Sequence, residues 1–308
     1  MNENIISLLR KREEIGQILD NLVFGAAEIR TEGSKKNLYV HFRVSGKQIT
    51  KFVGEYSDEL LNTLTINNQK AKELKKSLRE VNHKIRELGY IEAGLSEKTK
   101  RNIDFAKRNL ALTIHSQAIL EGVATTFAST EEIIEGGRVS GMSATDVQKI
   151  LNMKHAWEFV LDKDVIQSKT DLGLMQQINK LIEDGFYYAA GEIRDVPVSI
   201  GGTAWRPELP IRTKIQEDLE EIQASKKSRI DKAIDLMLFI QRSQIFLDGN
   251  KRTAIIFANH YLIKNGLGLM YVPEDKTDEY KKLLVNFYES GEKKAITTFV
   301  KKYCIIKI

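Results

Sequence analysis

Arg242-Ser243-Gln244-Ile245-Phe246-Leu247-Asp248-Gly249-Asn250-Lys251-Arg252-Thr253 is a polar turn set between two apolar runs. The run before it carries Ile230, Ala233, Ile234, Met237, Leu238 and Ile240; the run after it carries Ile255, Ile256, Ala258, Tyr261, Leu262 and Ile263 and stops at Asn265-Gly266. Both read as helices apolar over much of their surface, which places them at the centre of a helical core. A charged turn held between two core helices needs a reason, and electrostatics supplies one. A helix start leaves backbone N–H groups without partners and carries partial positive charge, so it attracts anions. Gly249 allows close backbone approach, and a Gly-Asn turn can form a cationic nest. Arg252 adds a forked donor for phosphate oxygens and Lys251 a point charge, while Asp248 beside an anion suits a bridging divalent metal. An Asp helix cap followed by a surface Lys-Arg pair is the plainer alternative for part of the run, but not for all of it.

Working outward, repeated helical patterns with short loops run from residue 97 onward, near 97–121, 129–135, 144–161, 171–185, 211–223, 227–243, 250–265, 276–289 and 292–303. The interruption at 191–207, with Pro197, Val198, Ser199, Ile200, Gly201, Gly202 and Thr203 at its centre, argues against helix and predicts a short extended hairpin or loop. Upstream, an amphipathic helix is expected near 3–20. Two strand-like runs, 37–44 and 48–53, flank Ser45-Gly46-Lys47 and read as a hairpin, and a Lys- and Glu-rich helix follows near 57–88. The expected organisation is an N-terminal hairpin-and-helix domain over 1–95 and a mainly α domain over 96–308.

Composition narrows the function classes. The 308 residues hold 47 basic and 42 acidic side chains, a net charge of +5 that falls well short of a dedicated nucleic-acid binder. No apolar run approaches the roughly 18–20 residues that span a bilayer, so no membrane partner is expected. Met1-Asn2-Glu3-Asn4-Ile5 has no basic region leading into an apolar stretch, and a cytoplasmic location is the expectation. Cys304 is the single cysteine, which excludes an intramolecular disulfide and a cysteine metal cluster.

The turn resembles the motif of the Fic/Doc (Fido) family, His-x-Phe-x-Asp/Glu-Gly/Ala-Asn-Gly/Lys-Arg between two core helices. Phe246, Asp248, Gly249, Asn250, Lys251 and Arg252 match it, and Gly191, Arg194 and Pro207 around the interruption resemble the family's flap. The resemblance covers roughly 97–303. It implies a Fido-type helical bundle with a short β-hairpin flap, Phe246 as a core anchor and Asp248 as the ligand of a Mg²⁺. It also implies an anion hole from Gly249, Asn250 and Lys251, and Arg252 on the phosphates of ATP or another nucleoside triphosphate. The segment Pro197–Thr203 would align a target protein's hydroxyl. The implied activity is transfer of AMP or phosphate to that hydroxyl.

Three positions depart from the pattern. Gln244 stands where the motif has its catalytic histidine, and a carboxamide has no useful basicity near neutral pH. His260 lies too far along its helix to substitute, and His115 is the better stray candidate. Ile255 replaces a second arginine that many members carry, and Lys251 resembles the death-on-curing branch, which is associated with phosphate transfer. Ser116-Gln117-Ala118-Ile119-Leu120-Glu121-Gly122 resembles the family's inhibitory helix with Gln117 in the Ser/Thr place; Glu121 would then pair with Arg252, or it is a plain helix-end residue. The alternative to an enzyme is a catalytically silent nucleotide- or phosphate-binding regulatory protein, possible in a toxin–antitoxin or phage-defence setting. In the N-terminal region Tyr39, Phe42, Arg43, Lys47 and Lys51 could touch nucleic acid, although a small sheet packed on a helix needs such aromatics for its own core.

Overall fold

The computed structural model describes residues 3–33, 35–44, 47–89 and 94–308. The chain divides into two compact units, Ser7–Ile91 and Met1–Ile6 with Glu92–Ile308. Helix α1 (Glu3–Asn21) is followed by an antiparallel meander, β1 (Ala26–Glu32), β2 (Lys35–Val44) and β3 (Lys47–Glu55), and by the long helix α2 (Asp58–Glu87). Side chains alternate across the sheet. Leu38 and Val40 are buried against Leu64 of α2, with Phe42, Val53 and Leu60 packed around them. The opposite face carries Tyr39 edge-on to Phe52 with Arg30 over its ring. Phe42 therefore serves the core, and the sheet has three strands where two were expected. Strand β1 gives a weak strand signal because Ile29 is its one large apolar residue, and that side chain is exposed; its pairing with β2 is a backbone matter. The turn at Ser45-Gly46 and the side chains of Arg43 and Lys47 lie outside the described residues.

The larger unit is mainly helical: α3 (Glu97–Arg108), α4 (Leu110–Leu120), α5 (Phe127–Ile134), α6 (Ala144–Val160), α7 (Leu172–Ile182), α8 (Arg212–Ala224), α9 (Arg229–Ser243), α10 (Asn250–Lys264), α11 (Thr277–Ser290) and α12 (Lys294–Phe299). A two-residue antiparallel pair, β4 (Leu269–Met270) with β5 (Ile305–Ile306), closes it. Short polar caps start the helices: Ser96, Thr126, Ser143, Asp171 and Ser228 each accept a backbone N–H from the residue three positions on. The single helix expected over 97–121 is broken at Asn109, whose side chain bonds the Phe105 carbonyl (2.8 Å). An asparagine that takes up its own helix's carbonyl competes with the ladder, while the apolar pattern runs on across the break.

Helices α9 and α10 form the centre, packed on α6 and α7. Ile234, Leu236, Leu238, Ile240, Ile256, Phe257 and Leu262 are all buried. At about 1.5–3 kcal/mol each, before chain entropy, they favour this pair by roughly 10–20 kcal/mol, enough to hold a polar turn between its helices. Among the described residues, no helix is long and apolar enough to cross a membrane.

Asn179 of α7 straps the pair together. Its Nδ2 donates to the Asp248 carbonyl (2.9 Å) and to Thr253 Oγ1 (3.1 Å), and its Oδ1 accepts from Gly191 N–H (2.9 Å). Removing it leaves several buried polar groups unpaired, at about 1–3 kcal/mol for each that water cannot reach. Asn179→Ala is expected to lower unfolding stability by roughly 2–4 kcal/mol in a denaturant titration; a loss under about 0.5 kcal/mol would show that the strap carries no weight.

Candidate active site

The α9–α10 turn requires two left-handed residues. Gln244 ends α9 at φ 46, the single non-glycine with positive φ among the described residues, and Gly249 precedes α10 at φ 72. A Cβ at Gly249 would run into the Glu183 carboxylate and approach Asn179, so glycine is required there on both counts. Directly after Gly249, Asn250 staples the turn: its Oδ1 accepts from Phe246 N–H (3.0 Å), and its Nδ2 donates to the Phe246 carbonyl (2.8 Å) and to Gln244 Oε1 (3.2 Å). Phe246 is buried as the expected anchor.

Arg194 clamps the turn from outside. It is buried, and its Nε donates to the Gln244 carbonyl (2.5 Å), its Nη1 to Val196 O (2.8 Å) and its Nη2 to Glu208 O (2.6 Å). Its own N–H reaches the Ile245 carbonyl (3.0 Å). Arg194 thus joins the motif to both ends of the 191–207 strap. No strand pairing occurs within 191–207, so of the hairpin or loop expected there the segment is an irregular loop and not a β-hairpin flap. The cause is that its ends are tied by side chains instead of by a ladder: Arg194 at the base, Thr203 Oγ1 on Glu289 (2.7 Å), and Trp205 stacked on Tyr288 with Arg242 also over the Trp205 ring. Pro197, Ser199, Gly201 and Gly202 are exposed, and no backbone–backbone bond involves 197–203 among the described residues.

The first bond of α10 runs from Thr253 N–H to the Gly249 carbonyl (2.8 Å). The amides of Asn250, Lys251 and Arg252 therefore have no acceptor in the helix. The Asp248 carboxylate is half exposed at its mouth and accepts from Gly249 N–H (2.6 Å). Arg252 is only 3% exposed. Its Nη2 lies 2.8 Å from Glu183 Oε1 and 3.7 Å from Asp248 Oδ1, and its Nε lies 3.9 Å from Glu121 Oε2. Lys251 Nζ stands 3.4 Å from the other oxygen of Glu121. None of these contacts gives Arg252 Nε or Nη1 a hydrogen bond; both are buried and unsatisfied. Two cations thus face three carboxylates, and the guanidinium keeps donors in hand.

Residues 169–262 match the model of the Fic/DOC family. The chain carries a Fic/DOC domain. No curated protein matches the sequence. Among solved structures the chain is similar to Fic-1 from C. elegans, at 18% identity and TM-score 0.54 over 80% of this chain and 74% of that one. It is also similar to a Fic family protein from Desulfovibrio desulfuricans, at 16% identity and TM-score 0.52 over 68% and 73%. A Fic domain containing signaling protein from Bacteroides thetaiotaomicron follows at 16% and 0.51 over 68% and 86%. At such identities the likeness concerns the fold.

The larger unit brings Gln244, Asp248–Arg252 and Glu121 into one region, and it leaves the two histidines apart from it. His260 is fully buried, donates from Nε2 to the Val165 carbonyl (2.9 Å) and accepts at Nδ1 from Thr170 (3.0 Å); burial pushes it down to about 3, so it is a neutral core residue. His115 bonds Thr130 and Glu274. Gln244 spends its carboxamide on the turn, donating to the Gln241 carbonyl (2.6 Å) and accepting from Asn250.

Glu183 of the Fic/DOC domain was invisible to sequence reading, since a Glu at the end of a helix is ordinary. Burial raises its carboxyl to about 7, against the pull of Arg252 and with Asp248 and Glu121 adding to the rise. In the unfolded chain a glutamate titrates near 4.5. As pH rises the unfolded state gives up this proton first, so the contribution is intact below about 4.5, falls through the window and is lost above about 7. The shift corresponds to roughly 3 kcal/mol. Melting temperatures of the wild type are expected to fall more between pH 5 and pH 8 than those of Glu183→Gln, which should be the more stable protein at pH 8. Parallel curves for the two would contradict the assignment.

Proposed function

We propose that the α10 start binds a nucleoside triphosphate and that the domain transfers AMP or phosphate from it to a protein hydroxyl presented by the 197–203 strap. The observation that supports this most is the pair of buried, unsatisfied guanidinium donors of Arg252 beside three partnerless helix amides. A buried cation left with spare donors is costly unless an anion meets it, and phosphate oxygens suit a guanidinium fork. The strap supports the second half of the reading. Its unpaired backbone at 197–203 can receive an extended segment of a target by main-chain hydrogen bonds.

Mg²⁺ fits the donor set. A single half-exposed carboxylate next to phosphates is a common way to hold it, with water completing the shell, and Asp248 would be its protein ligand. Bound there, the ion would neutralise charge on the phosphates. The chain's own residues do the remainder: the amides of 250–252 and Arg252 hold the phosphates, and the strap holds the target. For AMP transfer the hydroxyl oxygen attacks the α-phosphorus and pyrophosphate leaves; for phosphate transfer it attacks the γ-phosphorus and the diphosphate leaves. In either case the hydroxyl proton must go to solvent or to a phosphate oxygen, because Gln244 cannot take it. Glu121, within ion-pair range of Lys251 and Arg252, stands where it would repel the incoming phosphates and must be displaced by them.

A second reading follows from a specific observation. Gln244 is tied into the turn by both ends of its carboxamide, which favours a nucleotide-binding regulatory protein with little or no transfer activity. One experiment separates the two. The wild type, Gln244→His and Arg252→Ala are incubated in lysate with Mg²⁺ and α- or γ-labelled nucleotide. Histidine tolerates left-handed backbone, so Gln244→His is expected to raise label transfer by about 10²–10⁴, and Arg252→Ala to abolish it. The label transferred, α or γ, names the reaction. Transfer by Gln244→His alone supports the regulatory reading; no transfer by any form, with Arg252→Ala binding nucleotide as well as wild type, would sink both.

A further inference from the structure

Two carboxylates contact the phosphate-binding arginine, and they differ in kind. Glu121 ends α4, is partly exposed, and reaches Arg252 Nε only at 3.9 Å while sharing its charge with Lys251. Glu183 ends α7, is 2% exposed, and sits 2.8 Å from Arg252 Nη2. Its backbone is fixed: Glu183 N–H closes α7 on Asn179, and its carbonyl accepts from Phe186 (2.9 Å). Its carboxylate lies under Gly249, with no room for a Cβ above it. Asn179, four residues earlier on the same helix, holds the Asp248 carbonyl and Gly191. Glu183 therefore belongs to the rigid floor of the site, and Glu121 to its rim.

The floor position has an electrostatic cost. Glu183 repels any phosphate brought to the α10 start, and its charged form is disfavoured by burial. Among the described residues the carboxylate has one ion pair, with the guanidinium of Arg252, and a weaker attraction to Lys149. The contact with Arg252 is an ion pair on Nη2 in which Glu183 Oε1 makes no hydrogen bond of its own, and it leaves Nε and Nη1 unsatisfied. An arginine side chain loses considerable rotamer freedom when it is held, and holding it in advance removes that loss from ligand binding.

We propose that Glu183 is a positioning residue for Arg252: it anchors Nη2 from beneath the turn, aims Nε and Nη1 at the phosphate oxygens, and stays in place when Glu121 is displaced. This rests on the reading of the α10 start as a nucleotide site. Glu183 touches neither the nucleotide nor the target in this role; it acts through the guanidinium.

The test uses the full chain and a fluorescent ATP analogue with Mg²⁺, with the Nε–Hε NMR signal of Arg252 as a direct report on the side chain. Arg252→Ala is expected to weaken binding by about tenfold or more, and it identifies the NMR signal. Glu183→Ala should weaken binding by about tenfold, broaden or remove the Arg252 signal, and have no further effect in the Arg252→Ala background. Glu183→Gln keeps an acceptor oxygen for Nη2 and should preserve the signal, with affinity equal to or above wild type. Should Glu183→Ala melt below the assay temperature, Glu183→Asp, one methylene too short to reach, carries the same expectation. A Glu183→Ala or Glu183→Asp protein that keeps the signal and binds within about twofold of wild type, while Arg252→Ala fails to bind, overturns the proposal and leaves the nucleotide site standing. Undiminished binding by Arg252→Ala overturns both.

Discussion

A guanidinium sealed from water, with more acid than base around it, governs the larger unit. Arg252 has Glu183 below it, Glu121 beyond its Nε and Asp248 at the mouth. It can occupy that position only because α10 begins where it does. That start depends on Gly249, since any side chain there would displace Glu183. Gly249 is in turn held by Asn179, which reaches the Asp248 carbonyl from a helix some seventy positions earlier in the chain. Burying α9 and α10 back to back supplies the stability that this strained, charged turn draws on.

The turn divides its residues by task. Asn250 and Gln244 look like ligand-facing polar groups in the sequence, yet both side chains serve the backbone of the turn. Arg194 has the form of a charged flap residue and works as a buried clamp on three carbonyls. The groups free to meet a ligand are backbone amides, two nitrogens of Arg252 and the outer part of Asp248. On the proposed reading such a site would hold an anion by its frame, with proton transfer supplied by something else. The glutamine at position 244 serves the turn and offers no base.

Much of this was legible in the chain. The two apolar runs around Asp248–Arg252 show core helices, and the polar turn between them is where residue types alone place it. Phe246 is buried as expected. What the sequence concealed has common causes. Glu183 and Asn179 act across long sequence separations, so neither their spacing nor their type marks them. The break at Asn109 and the edge strand β1 leave the local apolar pattern unchanged, and the strap at 191–207 is tied by side chains, which no turn or strand signal reports. Even the histidines illustrate the point, since His260 is neutral chiefly because it is enclosed.

Phosphate binding at the start of α10 is tested most directly by a crystal structure of the chain with Mg²⁺ and a non-hydrolysable ATP analogue. Phosphate oxygens are expected on the amides of Asn250, Lys251 and Arg252 and on Arg252 Nε and Nη1, with Glu121 moved aside, Glu183 still on Nη2 and the metal on Asp248. A nucleotide bound elsewhere, with Glu121 and Arg252 unmoved, would contradict it.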